Sequence, residues 1–542
     1  MSTAAIQTES TPIVPTGSRR AVSPWIVTLT VTLATFMELL DTSIANVSLP
    51  HIAGGLGRSY DEVTWILTTY LVANAVVLPM SAWLSRVFGR KRYYMMCVAL
   101  FTATSFLCGI APSLGVILFA RVLQGMGGGG LAPVEQAILV DAFPPAKRAT
   151  AFAMYTMAVV SAPAIGPVLG GWITDSFSWR WVFFINIPVG ILSLFMTSRF
   201  VHDPPSFEQE RKIIRNAAGK FKIDGIGIAL IGIGSGALEI LLDRGQIEDW
   251  FGSRLITCTF VIAVVCLCTA VYWELHQETP IIEFRMLRTR NFAISNVFYF
   301  LFGFTLFSST AMTPDLLQTL FGYPAIDAGL VLGPGAMVIT FLAPVVAVIV
   351  QKGSVPPRFI LLGALTIIGS AFLLQGNFTL AADYGTFLRA RAFQGLGYGF
   401  FFVPLSMIAY SELRPGENNK ASSITNFFRN WGGSFGIAFF NTLVARRAQF
   451  HQSVLGANLG ATNSTMHQQV DTLTRYFTTK GMASSEALHM AYGYVNQQLQ
   501  IHSTFLAFMD CYWAIGIITL ICAPLVLLTR PFRLGGKAPA AH

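Results

Sequence analysis

Apolar stretches of about 20 residues, the length that crosses a bilayer as a helix, recur along almost the whole of this chain. In hydrocarbon every backbone N–H and C=O must find a partner inside the helix or inside a closed barrel. Long apolar runs without two-residue alternation therefore predict a bundle of membrane helices. Of 542 residues, 53% are hydrophobic and 12% charged, against about 25% charged in ordinary soluble domains. We read an all-α polytopic membrane protein of about fourteen spans.

The net charge of +9 needs no nucleic acid to explain it. Arg86, Arg90, Lys91 and Arg92 follow the second span. Lys147 and Arg148 follow the fourth, Arg211, Lys212 and Arg215 the sixth, and Arg285, Arg288 and Arg290 the eighth. Such loops face the cytoplasm, which predicts that both termini are cytoplasmic and that the polar segment 446–506 is extracytoplasmic. The seven cysteines all lie in apolar segments and show neither a disulfide framework nor metal-ligand spacing. No cofactor and no metal is expected. No nucleophile–base pair suggests an enzyme. Without a Gly-x-x-x-x-Gly-Lys-Ser/Thr loop, energy is expected from a proton gradient.

The first span, read as 25–46, carries Glu38 and Asp41 near its outer half. A carboxylate in a bilayer is costly unless it faces a polar cavity or a partner, and so marks function. Three-residue spacing puts both on one helix face, which must point into the protein. No histidine sits mid-span. The expected proton carrier is therefore a carboxylate. The plainer alternative is an acid that only packs against Thr42, Ser43 and Asn46.

The chain also repeats itself. Arg121-Val122-Leu123-Gln124-Gly125-Met126-Gly127 returns as Arg391-Ala392-Phe393-Gln394-Gly395-Leu396-Gly397, each opening a span of similar rank. Duplicated bundles around a central site are how many transporters alternate access. This predicts a six-helix bundle over 25–199, a linker over 200–224, an inserted two-helix hairpin over 225–273, a second linker over 274–293 and a second bundle over 294–529. Residues 1–24 and 530–542 are tails.

Leu40-Asp41-Thr42-Ser43-Ile44-Ala45-Asn46-Val47-Ser48-Leu49-Pro50 resembles the first-helix signature of the fourteen-span drug:proton antiporters of the EmrB type, a family of the major facilitator superfamily. The resemblance covers nearly the full chain. It implies the major facilitator fold and a proton role for Asp41; Glu38 is a second candidate. Arg121, Gln124 and Gly125 resemble the fourth-helix motif. A buried Arg needs a counter-charge, and Glu38 or Asp41 is the expected source. An Arg nearby favours the ionised carboxylate and its withdrawal the protonated one, which makes a proton switch. The plainer alternative is an Arg that snorkels to the helix end.

Ala162-Pro163-Ala164-Ile165-Gly166-Pro167-Val168-Leu169-Gly170-Gly171 resembles the antiporter motif of the fifth span, with Ala162 in place of the leading Gly. It implies export, and makes Gly166, Pro167, Gly170 and Gly171 a conformational hinge. The loop after span two keeps Gly89, Arg90 and Lys91 of the superfamily's gate motif but has Arg86 where that motif has Asp. Substrate-cavity candidates are Gln124, Asp315, Phe304, Phe402, Asn426 and Arg429. Asn426 and Arg429 lie in the stretch Asn426–Ser434 and Asp315 beside Pro314. Glu135, Glu239 and Asp510 are further acids in or near spans. Hydrophobic or amphipathic drugs and protons are the expected ligands. The resemblance also implies a periplasmic membrane-fusion adaptor and an outer-membrane channel, with the chain in a bacterial inner membrane. A carrier with a narrow physiological substrate, or a non-transporting membrane sensor, is the rival reading.

Overall fold

The computed structural model describes residues 23–530 apart from 145–146, 204–223, 278–279, 414–416, 458 and 460–463. The basic stretch expected between spans six and seven and both tails lie almost wholly outside these. Among the described residues there are helices and no strands. Thirteen helices among the described residues are long and apolar enough to cross a membrane. In the first half these are α1 (Pro24–Leu56), α2 (Tyr60–Phe88), α3 (Arg90–Ile110), α4 (Leu114–Ala142), α5 (Arg148–Ser176) and α6 (Trp181–Phe200). The inserted pair is α7 (Gly225–Arg244) and α8 (Arg254–His276). The second half begins with α9 (Arg290–Leu320), α10 (Ile326–Lys352), α11 (Pro357–Gln375) and α12 (Tyr384–Ala409). Then come α13 (Asn418–Ala457) and α14 (Ser464–Thr479), and α15 (Ser484–Leu528) closes the chain. The fourteenth span is α13, whose Lys420, Arg429, Arg446 and Arg447 make it less apolar than the rest.

Helix ends follow local chemistry. Gly57 takes a left-handed φ of 61° and its N–H bonds Ala53 and Gly54, a conformation that costs a side chain dearly. The first helix therefore runs past Pro50 to Leu56, about ten residues beyond the sequence-read end. Glu38 and Asp41 consequently sit in its middle rather than its outer half. Ser59 and Glu62 form a capping box at the start of α2. The polar segment 446–506 is mostly helix among its described residues: the end of α13, all of α14 and the start of α15. Arg447 Nε donates to Asp510 Oδ2 at 2.5 Å and His451 Nε2 lies 2.7 Å from the same oxygen, tying α13 to α15.

The repeat is structural. A Cβ at Gly125 would stand 2.3 Å from the Tyr70 carbonyl on α2, and one at Gly395 would stand 2.5 Å from the Gly335 carbonyl on α10. Two residues on, Gly127 meets Cys97 of α3 and Gly397 meets Ala364 of α11. In both halves the same glycines let the Arg-bearing helix touch two neighbours backbone to backbone. The inserted pair rests on both halves. On α7, Asp243 accepts from Thr68 of α2, the Arg244 guanidinium lies 4.2 Å from the Trp65 ring, and Glu239 accepts from Ser434 of α13 at 2.8 Å.

Candidate functional site

Asp41 is fully buried and held by donors from two other helices. Arg121 Nη1 donates to its Oδ2 at 2.6 Å; Gln124 Nε2 and Asn186 Nδ2 donate to its Oδ1 at 3.2 and 2.7 Å. Arg121 is as buried as its partner. Its Nε donates to the Ile66 carbonyl at 3.2 Å, and its guanidinium lies 4.3 Å above the Tyr70 ring. Asn186 also donates to Ser105 at 3.0 Å, which orients it toward Asp41. The cluster thus joins α1, α2, α3, α4 and α6 around one neutral ion pair. Breaking such a pair costs about 3–5 kcal/mol because it strands a buried charge.

Glu38, one turn earlier, has a different environment. Its Oε1 accepts from the Tyr70 hydroxyl and from Asn74 Nδ2, both at 3.1 Å. The two alternatives for the Arg121 counter-charge are thereby resolved in favour of Asp41. Tyr70 connects the two acids, its ring under Arg121 and its hydroxyl on Glu38. Tyr70, Asn74 and Asn186 have no role in the sequence reading. The sole sign of each in the sequence is a hydrogen-bonding side chain in an apolar span.

Of the cavity candidates, three meet where the halves face each other. Arg429 donates to the Tyr155 hydroxyl, which donates to Asn426 Oδ1 at 3.3 Å; Asn426 Nδ2 donates to Gln136 Oε1 at 2.8 Å. The Phe402 ring lies 5.5 Å from Tyr155 and 5.8 Å from Tyr299. Gln124 belongs instead to the Asp41 cluster. Phe304 packs on Phe439, 5.5 Å between centroids, inside the α9–α13 contact. Asp315 is exposed near the end of α9. These last two do not join the central group.

The glycine face lies against Asp41's own helix. A Cβ at Gly166 would come within 2.3 Å of Ser43, and one at Gly170 within 3.2 Å of Ile44. Pro167 has no N–H, so the Pro163 carbonyl loses its helical donor; Ser43 Oγ donates to that carbonyl at 3.3 Å. On its other side the motif meets the second half, where Gly171 faces Ile326 and Pro167 packs against Gly329.

At the end bearing the basic loops, the halves are tied by polar contacts. Ser423 donates to the Leu78 and Pro79 carbonyls, each at 3.1 Å, Ser422 to the Pro133 carbonyl at 2.8 Å, and Asn419 to Ser85. Gly89 has φ 92° and turns the chain between α2 and α3. Arg90 pairs with Asp141, which also accepts from Asn418 at 2.8 Å. The Lys91 N–H donates to Asp203 at 2.9 Å. The acid missing at Arg86 is thus matched by Asp141 and Asp203, which spacing within the loop does not reveal.

The family model described as Major Facilitator Superfamily matches residues 31–437. The chain belongs to this superfamily. It is 33% identical over 522 residues to the multidrug export protein EmrB of Escherichia coli, covering 95% of this chain and 98% of that protein. It is 34% identical over 512 residues to the fatty acid resistance protein FarB of Neisseria gonorrhoeae, covering 94% and 97%. With relatives matching it end to end, it is an EmrB-type member. Among solved structures, it resembles the human organic anion transporter MFSD10 with TM-score 0.58 at 12% identity, covering 93% of this chain and 99% of that one. It resembles the proton:xylose symporter XylE with TM-score 0.56 at 15% identity, covering 93% and 94%. These two speak for the fold alone.

Against this major facilitator frame, α7 and α8 add an apolar cavity of about 590 Å³ beside α13. Leu238, Trp250, Phe260, Phe435 and Phe439 line it and Arg446 stands among them. None of the buried carboxylates of the first half reaches it.

Proposed function

We propose that the chain is a proton-coupled multidrug exporter of the inner membrane. It moves hydrophobic or amphipathic toxic compounds outward in exchange for protons. The observation that carries this is the Asp41–Arg121 pair, fully buried beside the glycine face of α5. A proton reaching Asp41 removes the charge that holds Arg121, and α1 is then free to shift on α4. Because Ser43 and Ile44 of α1 rest on Gly166 and Gly170, that shift is passed to α5 and through it to α10 of the second half. Occupancy of one proton site thereby biases which end of the passage is open, which is the differential stabilisation that an access switch requires.

The substrate class rests on kinship with proteins named for multidrug export and fatty acid resistance, and on the aromatic surroundings of Arg429. Flat or cationic compounds gain stacking and cation–π contact from Tyr155, Tyr299 and Phe402. The basic loops support a cytoplasmic side for both termini and the opposite side for α14. The outer parts of α13, α14 and α15 are then the surface for a periplasmic adaptor leading to an outer-membrane channel. The test is drug efflux from proteoliposomes holding the purified chain. Export should require an imposed proton gradient and stop with a protonophore; gradient-independent export would overturn the proposal.

A further inference from the structure

Besides Glu38, the interior of the first half holds an acid that the Asp41 switch does not use. Glu135 on α4 is fully buried. Thr32 donates to its Oε1 at 2.7 Å; its Oε2, also buried, makes no hydrogen bond of good geometry, and the buried Thr35 hydroxyl is the other donor beside the carboxyl. Glu38 accepts two hydrogen bonds. The charged and titratable groups acting on Glu135 from the elements around it are Glu38 on α1, Tyr94 on α3, Tyr155 on α5 and Arg429 on α13. Among the described residues, Arg429 is the cation that acts on both Glu38 and Glu135, and its guanidinium already donates to Tyr155 and Asn430. Asp41 and Arg121 cancel each other. Two acids and one shared cation remain in a low-dielectric space.

We infer that Glu135 is a second proton-carrying residue, so that each cycle moves one proton on the Asp41 cluster and another on Glu135. A full charge on a buried carboxyl that only threonine hydroxyls serve, with no ion pair, is costly in such a space, and a proton removes it. Glu135 sits one residue from Gln136, which holds Asn426 of the second half. Any change in how the halves meet at Gln136 and Arg429 therefore changes the surroundings of Glu135. While the halves are joined at the basic-loop end, the carboxyl keeps its proton. When they part there, water reaches it and the O–H proton leaves to the cytoplasm, leaving the electron pair on the carboxylate.

This rests on proton coupling as proposed above, and the two are separable in one experiment. Protons moved per drug molecule are counted in proteoliposomes with a pH dye and a fluorescent cationic drug, for the unaltered chain, Glu135→Gln and Asp41→Asn. Glu135→Gln should move about half as many protons per drug. An unchanged ratio in Glu135→Gln with a lost or lowered one in Asp41→Asn overturns the Glu135 assignment alone. Unchanged ratios in both overturn the coupling itself. If Glu135→Gln transports too little to count, infrared spectroscopy of the solubilised protein reads the protonated carboxyl directly. The inference predicts a carboxyl C=O band that disappears in Glu135→Gln, and an identical spectrum in the variant overturns it.

Discussion

Arg121 and Arg391 stand at equivalent places in the two halves and make the same bond, from Nη1 to the Gln three residues on, at 2.8 and 2.5 Å. Among the described residues, Arg121 of the two also holds a carboxylate. The duplicated fold has thus kept a scaffold twice and an ion pair once. Arg121→Ala should strand Asp41 and destabilise the protein by about 3–5 kcal/mol, seen as a large drop in thermal midpoint in detergent. Arg121→Lys should recover part of this, because a point charge does not reproduce the planar fork. Arg391→Ala strands no acid, so its midpoint should fall less and its proton-to-drug ratio should hold. Equal effects of the two alanine variants would contradict the asymmetry.

The glycine face makes a graded prediction. A branched side chain at Gly166 meets Ser43, where a Cβ already comes within 2.3 Å, whereas at Gly170 the nearest atom is Ile44 at 3.2 Å. Overpacking costs about 1–3 kcal/mol, so a balance between access states shifts by roughly tenfold for each 1.4 kcal/mol. Gly166→Val should reduce efflux more than Gly170→Val. Protein level and drug binding, measured on the purified variants, should change little in Gly170→Val. Normal export by both would leave the motif without a mechanical role.

The inserted pair is coupled to α13 through Glu239 and Ser434 at 2.8 Å. Ser434→Ala takes the donor from an acid that is only 3% exposed. Leaving a buried group unsatisfied costs about 1–3 kcal/mol, and the thermal midpoint should fall accordingly. Ser434→Thr keeps the hydroxyl and should restore most of it.

The membrane bundle, its approximate span count and the duplicated Arg-Gln-Gly motif are legible in the sequence because each is written locally, as a run of apolar residues or as a repeated string. What is not legible is written between helices. The spacing of Glu38 and Asp41 puts both on one face, yet their separate partners, Arg121 for one and Tyr70 with Asn74 for the other, come from helices far along the chain. Hydropathy marks where a bilayer ends and not where a helix ends. It therefore misses the continuation of α1 to Leu56, where Leu49, Ile52 and Ala53 stay buried, and of α13 to Ala457. Phe304 shows the limit of reading a cavity from residue type: expected to line the substrate cavity, this ring fills a helix contact against Phe439.

The exposed helix α14 gives a prediction about partners. Deleting α14 removes a surface helix whose one buried residue is Val470. If this region docks a periplasmic adaptor, the deletion should leave drug transport in proteoliposomes intact and abolish resistance in whole cells. Equal loss in both assays would make α14 part of the pump's own fold.

Drug-driven proton release by Asp41→Asn, followed with a pH dye in proteoliposomes, bears most directly on the role of the Asp41–Arg121 pair. An amide keeps the size of the side chain but takes up no proton at physiological pH, and its NH2 must face a donor where Asp41 accepts from Arg121 or from Gln124 and Asn186. The Asn variant should still bind a neutral drug and release no protons through this site, so that gradient-driven export is lost. Full antiport with an unaltered proton-to-drug ratio in Asp41→Asn would contradict that role.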